Sequence, residues 1–246
     1  MNDKEDIFKR LYDSFMKGVG QLHVMERSVP IDRQLAYFRF SDSVRKNVGN
    51  LKEDDYERLM GDLKNDTSSK EEKKRILSLL PVSKQVKAYR LLESFVQETE
   101  SKELSDWAYM ALTESRISLE FELSGERQIY ISSGLGGKGI KLRFYIVLLS
   151  SLSDSFLDYQ KKIVRDELMF ALPKREIEIE RLTIENRYIE IVVLMPLIIH
   201  LKDVIKDIIT ECNQYGNFLR DTFIASNEKE LGKKEIESAL EEQRNN

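Results

Sequence analysis

A chain of 246 residues accommodates one large domain or two small ones and can bury a substantial core. Its 39 basic and 43 acidic residues leave a net charge of −4, so no global field draws it to nucleic acid and any such contact needs a local basic patch. Cys212 is the only cysteine and His23 and His200 lie far apart, which excludes an intrachain disulfide and argues against a zinc site; no metal or cofactor is expected.

Residues 1–116 read as a helical domain. Its first segment, Met1-Asn2-Asp3-Lys4-Glu5-Asp6, is charged, with no apolar signal core behind it. Ile7, Leu11, Phe15 and Val19 then recur at helical spacing. Pro30 and Ser41-Asp42-Ser43 punctuate the next stretch, and 62–74 is a polar, solvent-exposed connection or helix start. Ile76, Leu79 and Leu80 predict a helix that stops near Pro81, and Val86, Tyr89, Leu92 and Phe95 predict another. Ser105 is placed to cap a third, holding Trp107, Ala108, Ala111 and Leu112. Short paired helices of this kind resemble HEAT-type solenoid packing; with no repeat at a fixed period, an irregular bundle stands beside that reading.

From 117 the period changes. Ile117, Leu119, Phe121 and Leu123 alternate with Ser118, Glu120 and Glu122, which predicts a strand, with a helix running on from Trp107 as the alternative. Strands are also predicted at 128–132 and 140–149. A helix over 155–172 carries Phe156, Tyr159, Ile163, Leu168 and Phe170 and is ended by Pro173. A hairpin of 176–184 and 188–195 turns at Glu185-Asn186-Arg187. Pro196 opens a last helix with Leu201, Val204, Ile205, Ile208, Ile209 and Cys212 on its apolar face. Its neighbourhood holds the least charged run, 191–199, far short of the roughly 20 residues that cross a bilayer. No membrane insertion is expected, and the cysteine usage fits a reducing, cytoplasmic setting. The fold class is α+β: a helical domain over 1–116, an α+β domain over 117–226 with an antiparallel sheet of four or five strands and two helices, and a polar, flexible tail over 227–246.

Leu172-Pro173 precedes the hairpin and Met195-Pro196-Leu197 follows it, within a strand-strand-strand, helix, strand-strand, helix order that is itself preceded by a helix. In these features residues 105–215 resemble the type III secretion chaperone-like fold, with the long helical half and a glycine-rich loop as departures. The resemblance implies a protein-binding role and supplies no catalytic residues.

That loop is the chain's one unusual chemical feature. Four of the eleven glycines, Gly134, Gly136, Gly137 and Gly139, crowd together, so the backbone there needs φ > 0 or a close approach to something. The pattern is formally G-x-G-x-x-G, yet a strand follows where a dinucleotide fingerprint needs a helix. Lys138 is followed by Gly139 where a P-loop needs Ser or Thr, and the His-Arg-Asp and Asp-Phe-Gly parts of a kinase are missing. Two readings remain. In one, loop amides form an anion nest beside Lys138, Lys141, Arg143 and Tyr145, the last three sharing a strand face, and phosphate of RNA, a nucleotide or a phosphorylated partner binds there. In the other, the loop is a wide hairpin turn with solubilising lysines.

Glu176, Glu178 and Glu180 alternate with Ile177 and Ile179, giving an acidic strand face. It guards against aggregation, docks a basic partner, or matches Lys141 and Arg143 internally. His23 has no companion in the sequence, His200 begins an apolar helix, and Ser132 and Ser133 lack a base. With no catalytic set assembled, the expected function is a non-catalytic adaptor binding a protein partner. An RNA- or ribosome-associated factor that uses the loop, and a nucleotide-dependent enzyme, are the alternatives. The oligomeric state is left open.

Overall fold

A computed structural model describes residues 21–65, 67–152 and 154–242, so the predicted stripe from Ile7 to Val19 lies outside the described residues. The chain is α+β and divides into two compact units, Met1–His23 with Val29–Ile131, and Val24–Ser28 with Ser132–Asn246. No described helix is long and apolar enough to cross a membrane.

The first unit holds helices α1 (Ile31–Asn47), α2 (Glu53–Lys64), α3 (Lys70–Leu79), α4 (Val86–Glu98) and α5 (Lys102–Ser124). A two-stranded ribbon of β1 (Gln21–Val24) and β2 (Gln128–Ile131) accompanies them. Ser69 accepts from the Glu72 amide while the Glu72 carboxylate accepts from the Ser69 amide, so the polar 62–74 connection ends by starting α3. As expected, Pro81 closes α3, within a 3₁₀ turn over Leu80–Ser83. The cap of α5 is Ser101 rather than Ser105, whose hydroxyl is inside the helix and donates to the Val96 carbonyl at 3.1 Å.

The strand predicted at 117–123 is instead the last part of α5. Phe121 and Leu123 are exposed, so the apolar alternation there marks no buried face. The helix ends at Gly125, which lies at φ +69° and donates its N–H to the Phe121 carbonyl at 2.8 Å. The boundary between the units therefore falls at 131–132 rather than near 116. The chaperone-like order also lacks its first predicted strand.

The second unit runs β3 (Gly137–Lys138), β4 (Lys141–Ser150), α6 (Asp158–Ala171), β5 (Glu178–Ile184), β6 (Tyr188–Pro196), α7 (Leu201–Asn213), β7 (Leu219–Ser226) and α8 (Lys233–Glu242). Its sheet order is β5-β6-β4-β7, every neighbouring pair antiparallel, with β3 beside the start of β4. From β4 to β7 this is a β-α-β-β-α-β unit, the split-βαβ or ferredoxin-like arrangement. The predicted hairpin is present, but Pro196 ends β6 instead of opening a helix, and β7 was not foreseen.

The β4–β6 register sorts the side chains. Ile146 opposite Ile191 and Leu148 opposite Ile189 face α6 and α7, where Val164, Leu168, Ala171, Val204, Ile205, Ile208, Ile209 and Cys212 complete a core. Tyr145 opposite Val192 and Leu149 opposite Tyr188 lie on the other face, together with Val147. There they meet Ile236 and Leu240 of α8, so the reading of 227–246 as a flexible tail is corrected for 233–242. Two apolar residues spaced four apart give that otherwise charged segment one buried stripe.

Candidate functional site

The glycine loop is filled with its own chain. A Cβ at Gly134 would run into the backbone of Glu228, one at Gly136 into Glu26 and Arg27, and one at Gly137 into the Lys141 carbonyl and Val24. The amides a nest would present are used: Leu135 N–H donates to the Asn227 carbonyl at 3.0 Å, Gly136 N–H to Ser133 at 3.4 Å, and Gly137 N–H to Glu26 at 3.3 Å. Ser28 Oγ donates to the Gly134 carbonyl at 2.6 Å, and Val24 N–H to Gly139 at 3.1 Å. Close approach explains the glycines, but what approaches is backbone of Val24–Ser28 and of residues 227–228, not a ligand.

Lys141, Arg143 and Tyr145 do share one face of β4, and each has a carboxylate partner. Lys141 Nζ lies 2.6 Å from Glu178 and 2.7 Å from the Glu176 carbonyl. Arg143 forks onto Glu180, with Nη2 at 2.8 Å, and its Nη1 donates to the Leu135 carbonyl at 2.7 Å. Tyr145 Oη donates to Glu190 at 2.5 Å, and burial with that carboxylate pushes the phenol well up. Hydrogen bonds from Lys141 and Arg143 hold the Glu178 and Glu180 carboxyls below the ordinary range. Of the three roles considered for the acidic strand, Glu178 and Glu180 fill the internal one. A bulge after Ile179 then turns Arg181 to the same face, where it pairs with Glu230. With the amides of Leu135, Gly136 and Gly137 engaged and Lys141, Arg143 and Arg181 paired, the predicted nest is closed; Lys138 is exposed beside it and makes no ion pair among the described residues.

A different concavity appears at the end of this unit where α6 gives way to a 3₁₀ turn, Pro173–Arg175. Three clefts share that turn. One of about 690 Å³ is lined by Lys141, Met169, Pro173 and Ile179, among others. A second of about 460 Å³ includes Lys174, Ile198 and His200, and a third of about 570 Å³ includes Phe170, Lys174 and Arg175. Glu176, beside the turn, sits at φ +57°, a left-handed conformation uncommon for a side-chain-bearing residue. Met169, Phe170 and Ile198 are more than half exposed. Lys174 Nζ stands 3.2 Å from the Phe170 ring centroid. Arg175 pairs with Asp207 at 2.9 Å, whereas Lys174 makes no ion pair among the described residues.

Sequence reading assigned Phe170 and Tyr159 to the apolar side of their helix, but the buried stripe is Gln160, Val164, Leu168 and Ala171, which turns both rings outward. The signal was available: Met169 and Phe170 are adjacent, and helical geometry cannot place both in the stripe that holds Leu168 and Ala171. His23 does acquire companions in the first unit. It stacks on Tyr130 at 4.7 Å, and its Nε2 lies 2.8 Å from Gln128 Oε1, a pairing across 105 positions that no local pattern announces. Among the described residues no group of His, Cys, Asp and Glu is placed to hold a metal.

No protein-family model matches the sequence, and no curated protein matches it. Two solved structures are similar in part. The REP-associated tyrosine transposase bound to a REP hairpin matches 40% of this chain and 61% of its own at 11% identity and a TM-score of 0.32. This chain thus spans under two thirds of that protein. A putative transposase from Deinococcus radiodurans matches 43% of this chain and 90% of its own, at 11% identity and a TM-score of 0.34. At such scores the likeness transfers neither fold nor chemistry. Both matched structures are described as transposases, and the expectation of a non-catalytic adaptor is corrected on that finding. The loop-based RNA-factor and nucleotide-enzyme alternatives are withdrawn because the loop is closed by its own chain.

Proposed function

We propose that the second unit binds single-stranded nucleic acid at the corner built by the end of α6, the Pro173–Arg175 turn and the segment before α7. One observation carries this reading: Phe170 is 59% exposed, with an ammonium at its ring, and lines one of the three clefts that border the Pro173–Arg175 turn. An exposed ring offers a stacking surface to an unpaired base, and the lysine beside it suits the adjoining phosphate. Met169 and Ile198 extend the apolar contact. Of the acids bordering the corner, Glu178 is engaged by Lys141 and Asp207 by Arg175, while Glu167, Asp203 and Glu211 also line its clefts. Lys174 makes no ion pair among the described residues and is the cation placed to meet a phosphate beside the ring.

DNA and RNA share this chemistry, and the test separates them. Fluorescence anisotropy is read with labelled single strands of roughly 12 nucleotides, one of DNA and one of RNA, and with a duplex control. Single strands should bind better than duplex. Phe170→Ala with Lys174→Glu should weaken binding about fivefold or more, as loss of one stacked base at ~1–3 kcal/mol implies. Only a few phosphates are met, so the logarithmic salt slope should be shallow, about −1 to −2. Unchanged affinity in the double variant, or a preference for duplex, refutes the reading.

A further inference from the structure

We infer that α8 and the segment leading into it form a displaceable strap over a second stretch of nucleic-acid surface on the sheet face, an inference that rests on the reading of the corner above. The face beneath α8 carries a tyrosine on each of the two central strands, Tyr145 on β4 and Tyr188 on β6. Lys141, Arg143 and Arg181 rim it. Antiparallel sheets with aromatics on their central strands are a recurrent platform for unpaired bases. Lys141 also lines the corner cleft, and Arg143 and Tyr145 follow it at alternate positions of β4, so a strand lying in the corner continues onto this face.

The strap is lightly held. Of the ten residues of α8, Ile236 and Leu240 are the buried apolar ones, and Leu231 ahead of the helix adds partial cover. Arg220 clasps the far end, donating through Nη1 to the Ala239 carbonyl at 3.3 Å and through Nη2 to Leu240 at 2.8 Å while its Nε holds Ser150 at 2.9 Å. Glu235 closes the near end, accepting from the Gly232 amide at 2.8 Å and from Lys229 at 2.7 Å. Among the described residues a short helix with two buried apolar side chains belongs to the low-stability end of a folded unit.

Glu230 gives the strap its chemistry. Its carboxylate pairs with Arg181, while Arg143 is held mainly by Glu180 with Glu230 adding to that attraction, and Lys141 by Glu178. A nucleic-acid phosphate is recognised by the same groups. The lead-in thus places an internal anion at Arg181, where the ligand's would go, while Ile236 and Leu240 share one buried cluster with Tyr145 and Tyr188.

The test uses the full chain. Ile236→Asp with Leu240→Asp unlatches α8, and amide hydrogen exchange reports release of 233–242 alongside retained protection of β4 and β6. Affinity for single strands should then rise about tenfold, within the usual range of coupling between sites. Tyr188→Leu in that background should return it to the parental value. Glu230→Gln, which leaves the core untouched, should raise affinity severalfold by itself and serves if the unlatched variant misfolds. Release without gain, a gain that Tyr188→Leu does not reverse, or a Glu230→Gln chain with parental affinity overturns the strap. If the parent binds through Phe170 and release adds nothing, only the strap fails. If the parent does not bind, the corner fails, and binding that appears only on release would leave the sheet face as the site.

Discussion

Replacing Gly134 by alanine tests whether the glycine loop is a structural joint. The new Cβ would enter the backbone of Glu228, and backbone has no rotamer through which to yield. Overpacking of this kind costs about 1–3 kcal/mol, and the rigid neighbour argues for the upper half of that range. Gly139→Ala is the control. It sits at φ +60° with open space around it, so it carries only the left-handed backbone penalty of about 1–2 kcal/mol. Gly136→Ala combines both faults, at φ +72° and against the Glu26 carbonyl, and should be the worst of the three. The order of destabilisation is therefore Gly136, then Gly134, then Gly139. Thermal unfolding followed by circular dichroism reads it, at about 4 °C or more per kcal/mol for a unit of this size. Hydrogen exchange at Arg143, whose N–H donates to the Gly136 carbonyl at 3.0 Å, localises it. If all three alanines melt with the parent while nucleic-acid binding falls, the loop is a ligand site and the structural account is wrong.

Three further outcomes follow from the contacts. Lys141 and Arg143 hold the Glu178 and Glu180 carboxyls low, so their stabilisation is complete above the unfolded glutamate pKa of about 4.3 and is lost as pH falls through the depressed native values; Lys141→Met with Arg143→Met should flatten that acid-side loss in a pH series of melting temperatures, and an unchanged profile refutes it. Tyr37, fully buried, donates to Glu114 at 2.7 Å beside the Arg45–Glu114 pair, so Tyr37→Phe should cost about 1–2 kcal/mol in a urea titration read from the fluorescence of Trp107, whose ring lies 5.6 Å away; an unshifted midpoint counts against it. Burial pushes the Cys212 thiol up to about 12, so it should resist alkylation near pH ~8 in the native chain and react once the chain unfolds, whereas rapid native labelling would contradict its burial.

Elements with one buried face were legible from sequence. β4, β6 and α7 carry continuous or strictly spaced apolar residues because both strands are covered on two faces and the helix on one; the predicted limits of the two strands were close, while the helix starts at Leu201 rather than at Pro196. Failures came where burial is incomplete or partners are distant. At 117–123 the helix end passes from half-buried to exposed, with little packing to enforce a helical period, so the strand-like alternation was accidental. β7 carries Arg220, Asp221 and Thr222 in succession and meets β4 through a shifted register, so its apolar residues, Leu219, Phe223 and Ile224, do not alternate. Glu178 and Glu180 were correctly weighed as matches for Lys141 and Arg143, because alternation fixes a common face whatever the register. Arg181 was missed, because only the bulge brings it there.

The glycine cluster shows why its demand was readable and its meaning was not. Absence of a Cβ is required equally by a phosphate and by a passing backbone, since both need approach closer than a methyl group permits. What decides between them is which atoms arrive. Those atoms belong to Glu26 and Arg27, more than a hundred positions earlier, and to Glu228, some ninety later. Neither segment carries a mark of this destination, because the bonds they make use backbone amides and carbonyls that every residue shares. The corner at Phe170 differs in that its evidence is side-chain chemistry. A sequence that places Met169 and Phe170 beside the buried Leu168–Ala171 stripe sets two apolar groups outward, as it does Leu123 and Tyr215 elsewhere, so what singles out this corner is the Lys174 ammonium at the Phe170 ring.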